Sequence, residues 1–476
     1  MIRSSSLGLS LLVAIVLLSG MDGSVAIAQT PLSEPIFSNP VKIIISKDVL
    51  TGDLPVLNRS LKLDEAIQIA LKDNPTLLET ERTWTISKYL SRSALAKLGP
   101  SASANLFYAK TNLNQTLFFM NDSPVASWPM QNTAPRGSLL SVVFAARQPL
   151  FTGGRLVGGY RAARAQEKQS LASFNADRVK LAQQVRQAYW ESALQEARAK
   201  LKSQYVVYRQ STVGNTQAKV ESGKLPRADL LREGAELANA QTQLNDAYSD
   251  LNKALLNLKA LLAINFSSNV DVGEGLELVP QTKDLNYYLG AAAASRPEIA
   301  RARSAIEEMK ARQMVARSKY SPQVDLYGLT SNQTGRTPES PDSVANGKWG
   351  GMIGIIGGVT LFDSGSRFNE LRAANEAVRR AQAAARETEI AVGKEVAAAW
   401  IALDLSEKNA KLAHSRVLSA VEDSRLMHAR FEAGKAIALE DFQSSVRAFD
   451  AQQQELEAIY KYKLTEADLL AASGSI

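Results

Sequence analysis

Apolar residues fall at Leu181, Val185, Ala188, Tyr189, Ala193, Ala197 and Leu201, mostly three or four apart. That spacing lines one face of a helix. No proline interrupts residues 156–222 or 368–433. Both runs are rich in Ala, Glu, Gln, Lys, Arg and Leu, the composition of long packed helices. The pattern predicts helices from Leu156 to Ser222 and from Phe368 to Ala433, each roughly 100 Å long. Each ends at a Gly-Lys, in VESGKLPRADLL (Val220–Leu231) and FEAGKAIALEDF (Phe431–Phe442). The helical pattern then resumes, around Ala228 to Ala263 and Leu439 to Ala472. Two helical hairpins result. Shorter helices are predicted from Leu61 to Leu98 and from Asn286 to Tyr320, ending before Pro100 and Pro322 as helices commonly do before proline.

Between the short and long helices the period changes. Ala104, Leu106 and Tyr108, then Leu140, Val142 and Phe144, then Val324 and Leu326 recur at every second position, which is a strand period. SASANLFYAKT and GSLLSVVFAARQPLF bracket one polar loop, and QVDLYGLTS and GGMIGIIGGVTLF another. The pattern predicts two strand hairpins, about 101–151 and 322–362, with four strands in total. Trp128 and Trp349 fall in them, where an interfacial aromatic belt and loop packing are equally good accounts.

The chain is a duplication. An offset of 211 places Leu150-Phe151 on Leu361-Phe362, Gly154 on Gly365, Arg161 on Arg372, Val185 on Val396 and Gly223-Lys224 on Gly434-Lys435. Upstream, an offset of 222 places Pro75 on Pro297 and Pro100 on Pro322. The first copy therefore carries extra residues between Pro100 and Leu150, where a surface loop accepts them. The copies are read as 61–272 and 273–476, with turns at about 220–228 and 431–440.

Composition narrows the setting. Arg3, the apolar run Leu7–Leu18 and Ala26-Ile27-Ala28 have the layout of a secretory signal peptide covering 1–28. The run is too short for a convincing spanning helix, and no other segment reaches about 18 apolar residues. There is no cysteine, hence no disulfide and no thiol for an N-terminal lipid. The net charge of +7 is spread among acids along the helices. It reads as solvated helix faces, and no nucleic-acid partner is expected. Residues 29–60 contain proline and are left as an extended segment of open role.

Enzyme chemistry finds no foothold. GGRLVGG is Gly-rich, but it follows an exported strand and precedes a long amphipathic helix, and it does not read as a phosphate site. His414 and His428 are 14 residues apart, roughly 21 Å along a helix, so they cannot share one metal. They read as solvated helix residues. No catalytic residue, cofactor or metal site is expected. Four strands cannot cross a membrane as an open sheet, because the edge groups stay unpaired in lipid. Small bacterial barrels need at least eight strands and an even count. Two copies would give eight and three would give twelve.

These features resemble the TolC-family outer membrane efflux proteins, from about Leu61 to Ala472. LKLDEAIQIALKDNPTLLETE resembles the family's opening helix, SKYSPQVDL its entry to the strand hairpin, and RQPLFTGGR and VTLFDSGSR its exits. ESGKLPRADLL and EAGKAIALEDF resemble its helix-tip turns. The resemblance implies a mainly α fold with a membrane β part. Two long helical hairpins per chain would form an α-barrel, and four strands per chain would join a trimeric 12-stranded β-barrel. It implies an outer-membrane homotrimer in contact with lipid, with the helices crossing the periplasm of a Gram-negative-type bacterium. A periplasmic adaptor and an inner-membrane pump or ABC-type transporter would feed it, and it would perform no chemistry. Lacking the N-terminal cysteine of some members, the chain resembles the unlipidated branch. Small-molecule efflux is favoured over type I protein secretion. A non-pore periplasmic coiled-coil scaffold is the alternative, though it has no need of alternating strands.

The same resemblance puts Gly223, Lys224, Leu225, Gly434, Lys435, Ala436 and Ile437 at an adaptor-contacting tip. Read alone, each glycine is a helix C-cap in the left-handed conformation. Asp229 lies six residues after Gly223, and Glu440 six after Gly434 with Asp441 beside it. An acid in the first turn of a helix is favoured by the dipole, which suffices for Asp229. The resemblance makes Glu440 or Asp441 part of an acidic ring at a periplasmic gate. The family's second acid corresponds to Gln443 or Ser444, both neutral, so such a ring would be weaker here.

Overall fold

The computed structural model describes residues 53–111, 115–117, 132–134, 137–280, 283–336 and 345–476. The expected signal peptide, residues 29–52 and Trp128 lie outside the described residues. In chain order, the first copy begins with β1 (Asn58–Leu61), α1 (Leu63–Asp73) and α2 (Pro75–Ala96). Strands β2 (Ser101–Thr111), β3 (Gln115–Leu117), β4 (Asn132–Ala134) and β5 (Gly137–Phe151) follow. Helices α3 (Arg155–Glu221) and α4 (Arg227–Leu262) then lead into β6 (Asn269–Val272). The second copy runs α5 (Leu285–Ser295), α6 (Pro297–Ser318), β7 (Gln323–Arg336), β8 (Ala345–Gly358), α7 (Ser366–Glu432) and α8 (Ala438–Ala472). Helices α3 and α7 are each 67 residues long.

Two expectations need correction. The opening helix of each copy is two helices, broken at Asn74-Pro75 and at Arg296-Pro297. Proline removes a backbone donor and pushes the residue before it out of the helical region. Asn74 (φ −68°, ψ 122°) and Arg296 (φ −64°, ψ 120°) are accordingly extended. Both corners are used. The Asn74 side chain accepts from the backbone N–H of Thr76 and Leu77 and donates to the Leu261 carbonyl at 3.0 Å. Arg296 donates to the Ala471 carbonyl at 2.8 Å. The second correction is a parallel pair, β1 with β6, outside the two strand hairpins. Its strands have four residues each, too few to show a period.

With α1, this pair packs on one face of α3. Tyr189 is fully buried there. Its hydroxyl donates to the Leu61 carbonyl at 2.9 Å and accepts from the Glu274 N–H at 3.2 Å. Leu61, Ile67, Val185, Leu258, Leu262 and Ile264 fill the core around it. Burial raises the Tyr189 phenol well above its usual value.

The main sheet has the order β2-β5-β7-β8, antiparallel throughout. The register Ala104↔Phe144, Leu106↔Val142 and Tyr108↔Leu140 sets the alternating apolar residues side by side on one face. Phe144 continues across to Thr330 and Gly351, and Val142 to Asn332 and Trp349. This face is exposed: Leu106 is 73% accessible, Ile353 78% and Ile355 68%. Phe144 and Trp349 pack on it with ring centroids 5.8 Å apart. The other face holds polar partners, with Ser141 buried and Arg147 paired to Asp325 at 2.7 Å. Among the described residues, β2 and β8 each have a main-sheet partner on one side only.

Below the strands, α3 lies between α2 and α6, and α6 lies between α3 and α7. Further along, α3 is flanked by α4 and α8, and α8 by α7. Both levels therefore present four helices in a row. At Gly158, α3 and α6 nearly touch. A Cβ there would stand 2.8 Å from Val315 Cγ2 and 3.0 Å from the Ala311 carbonyl oxygen. Among the described residues, no helix is long and apolar enough to cross a membrane.

Candidate functional site

The two hairpin turns share one geometry. Gly223 has φ +73° and Gly434 φ +68°, the left-handed region where a side chain is strained. The Lys224 N–H bonds the Lys219 carbonyl at 2.8 Å and the Gly223 N–H bonds Val220 at 3.0 Å. The Lys435 N–H bonds Arg430 at 2.8 Å and the Gly434 N–H bonds Phe431 at 3.0 Å. Each pair closes a Schellman-type cap. Pro226 and Ile437 are extended and start the returning helices. A Cβ added at either glycine meets nothing within 4 Å, so both turns face open space. Gly223, Lys224, Gly434 and Lys435 are exposed, Leu225 and Ala436 half-buried, and Ile437 is 60% accessible. Lys219 reaches Glu432 at 3.4 Å and lies 4.4 Å from the Phe431 ring centroid. The two tips are thus side by side in one chain.

The three acids diverge. Asp229 pairs with Arg232 at 3.0 Å within the first turn of α4. Glu440 is exposed. Asp441 turns inward, with one carboxylate oxygen 3.1 Å from His428 Nδ1 and the other buried with no protein hydrogen bond. The other histidine, His414, meets Glu455 at 2.6 Å. Among the described residues, no group of three or more His, Cys, Asp or Glu is placed to hold a metal.

Behind the tips lies an arrangement the sequence reading missed. Arg209 of α3 is 1% accessible. Its guanidinium sits 4.8 Å from the Tyr205 ring and 4.5 Å from the Phe442 ring of α8. It receives charge support from Glu233 of α4 at 3.6 Å and donates a short hydrogen bond to the Tyr205 hydroxyl. Burial raises the Glu233 carboxyl above its usual value, with Arg209 opposing that shift. A cavity of about 40 Å³ is lined by this pair together with Asp441 and Asp229. Arg209 thereby joins the first hairpin to the second. The signal lay in the difference between the copies: the offset of 211 puts Ala420 opposite Arg209 and Ser444 opposite Glu233.

A sheet with an apolar face turned outward, continued by two long hairpins that end in bare turns, defines a channel-forming outer-membrane protein built on a duplicated module. The chain belongs to the outer membrane efflux protein family, which matches residues 66–263 and 288–475. It resides in the outer membrane with its helices in the periplasm, and like its family it is a passive channel rather than an enzyme. Its fold is shared with a membrane protein from Pseudomonas aeruginosa, at 20% identity and TM-score 0.71, covering 86% of this chain and 92% of that one. The Campylobacter jejuni CmeC outer membrane channel matches at 17% identity and TM-score 0.71, over 87% and 85%. The open-state Neisseria gonorrhoeae MtrE outer membrane channel matches at 19% identity and TM-score 0.71, over 87% and 89%. No curated protein matches the chain.

Proposed function

We propose that three copies of the chain form the exit duct of a tripartite small-molecule efflux system, fed at the helix tips by a periplasmic adaptor and an inner-membrane pump. The observation that carries this reading is the four-stranded sheet whose edge strands β2 and β8 have, among the described residues, no outer partner. Unpaired edges in lipid are costly, so copies must pair edge to edge, and three copies of four strands close a barrel of twelve. Efflux is preferred to protein secretion on the family's description. The adaptor-docking residues are Gly223, Lys224, Leu225, Gly434, Lys435, Ala436 and Ile437, where charge and an exposed isoleucine surround two open turns. Replacing both Gly223 and Gly434 by Trp is expected to abolish export of a fluorescent dye in intact cells. The heat-modifiable trimer band in the outer-membrane fraction should persist. Export at the native rate in that double variant would sink the docking assignment.

Glu440 is the gate acid in this reading, because Asp441 is already engaged with His428. Three copies of one carboxylate around an axis attract cations. In planar bilayers, millimolar divalent cations should reduce the conductance of the native channel, and Glu440→Gln should remove most of that block. The same change at Asp441 should leave it intact. An equal block in all three proteins would dismiss the acidic ring.

A further inference from the structure

Below the strand ends, α3 and α6 enclose a groove of about 430 Å³. It is lined by Tyr160, Arg161, Arg164 and Lys168 of α3 and by Glu307 and Lys310 of α6. Four cations face one carboxylate, which already pairs with Lys168 at 2.7 Å. Arg164 has only a loose contact with Glu167 at 3.9 Å. Among the described residues, neither Arg161 nor Lys310 forms an ion pair.

The groove opens on the outer surface of the duct. Arg164 precedes Tyr189 by 25 residues, about seven helical turns, so both lie on the same face of α3. That face carries α1, β1 and β6. A conduit has to keep this subdomain off its lumen. The depth is also set. Leu361 and Phe362, 88% and 83% accessible, mark the foot of the apolar face. Arg161 is six residues into α3, about 9 Å along its axis. Helical side chains lean toward the N-terminus, which for α3 means toward the membrane. Its guanidinium therefore reaches the headgroup layer, which is several ångströms thick on each side of the hydrocarbon. Tyr160 offers the apolar body and polar tip that suit this depth.

We propose that the α3–α6 groove binds the headgroup phosphate of an anionic phospholipid in the periplasmic leaflet, with Arg161, Arg164 and Lys310 as its ligands. Bidentate arginine contact and a nearby ammonium match a phosphodiester. The proposal rests on the sheet lying in the membrane, and the test separates the two. The full-length protein is reconstituted into phosphatidylcholine vesicles with or without phosphatidylglycerol, and flotation, conductance and the lipids retained in native mass spectrometry are recorded. The native protein should retain phosphatidylglycerol about tenfold over phosphatidylcholine at low salt and lose that preference as salt rises. Replacing Arg161, Arg164 and Lys310 together by Gln should abolish the preference while flotation and conductance persist. Arg161→Lys, which keeps the charge, should retain most of it. Equal retention of both lipids by a native protein that floats and conducts would overturn the lipid site alone. Failure to float or conduct in either vesicle would overturn the membrane reading as well. Displacement of the lipid by millimolar inorganic phosphate, or binding of the native protein but not the triple variant to purified peptidoglycan sacculi, would assign the groove to a soluble anion or to the wall polymer and overturn the proposal.

Discussion

Replacing Arg209 by Met is expected to destabilise the tip region by about 3–5 kcal/mol, the cost of leaving one member of a buried ion pair alone. The loss is not one of packing, since Met still fills the slot between the Tyr205 and Phe442 rings. It comes from Glu233, whose carboxyl is already pushed up by burial and is held down chiefly by Arg209. Without the guanidinium, that carboxyl rises further. The neutral form is then favoured in the folded state, so the folded protein keeps the Glu233 proton to higher pH than the unfolded chain does. Stability is fully present below the unfolded carboxylate value and falls as pH rises through the folded one. The variant should therefore look worst in alkaline buffer and recover in mild acid. Adding Glu233→Leu should restore most of the stability, because an apolar pair can replace a buried ionic one. Hydrogen exchange over residues 205–233 and 441–449 reads this directly, as the opening is local. A variant within about 0.5 kcal/mol of the native protein at alkaline pH would show that the pair is not buried in the assembled channel.

The Arg209–Glu233 pair also shows which parts of the molecule were legible in the sequence. The long helices were, because 67 residues give many turns over which a helical spacing repeats, and because the same spacing occurs twice. The main sheet was legible from its alternation, although glycines in β8 diluted it. The helix breaks at Asn74 and Arg296 were not, since the apolar pattern runs through both corners while the backbone does not. The β1–β6 pair was not, because its partners are about 211 residues apart and four residues long. Comparing the copies found what they share, such as the glycine turns. It was blind to what they do not share, and Arg209, Glu233 and the His428–Asp441 contact belong to one copy only. The acids show the limit of spacing. Glu440 and Asp441 are adjacent in sequence, yet one is exposed and the other is turned between helices, a difference set by the packing of α8 against α3 and α7.

The duplication supplies its own control for the second large effect, at the corner where strand becomes helix. Gly153 has φ +58° and its counterpart in the second copy, Ser364, has φ +54°. The same left-handed backbone is thus occupied once by glycine and once by a residue with a side chain. A non-glycine residue pays roughly 1–2 kcal/mol for this conformation, and Ser364 shows that the fold tolerates it. The surroundings differ. A Cβ on Gly153 would lie 2.4 Å from Ser321 Cβ, 2.9 Å from Ser321 Oγ and 3.0 Å from the Ser318 carbonyl oxygen. Those atoms belong to the end of α6 and its turn into β7, so relief requires backbone movement where α3 and α6 meet the strands. Overpacking of this kind costs a further 1–3 kcal/mol or so. Gly153→Ser should therefore destabilise the protein by about 2–5 kcal/mol and deplete the heat-modifiable assembled form in the outer membrane. Ser364→Gly should be close to neutral, because the relieved strain is offset by about 0.5–1 kcal/mol of added chain entropy in the unfolded state. Thermal unfolding of both variants in one detergent decides the matter. If the two shifts are equal in size and opposite in sign, backbone conformation alone governs the corner and the contact with Ser321 counts for nothing.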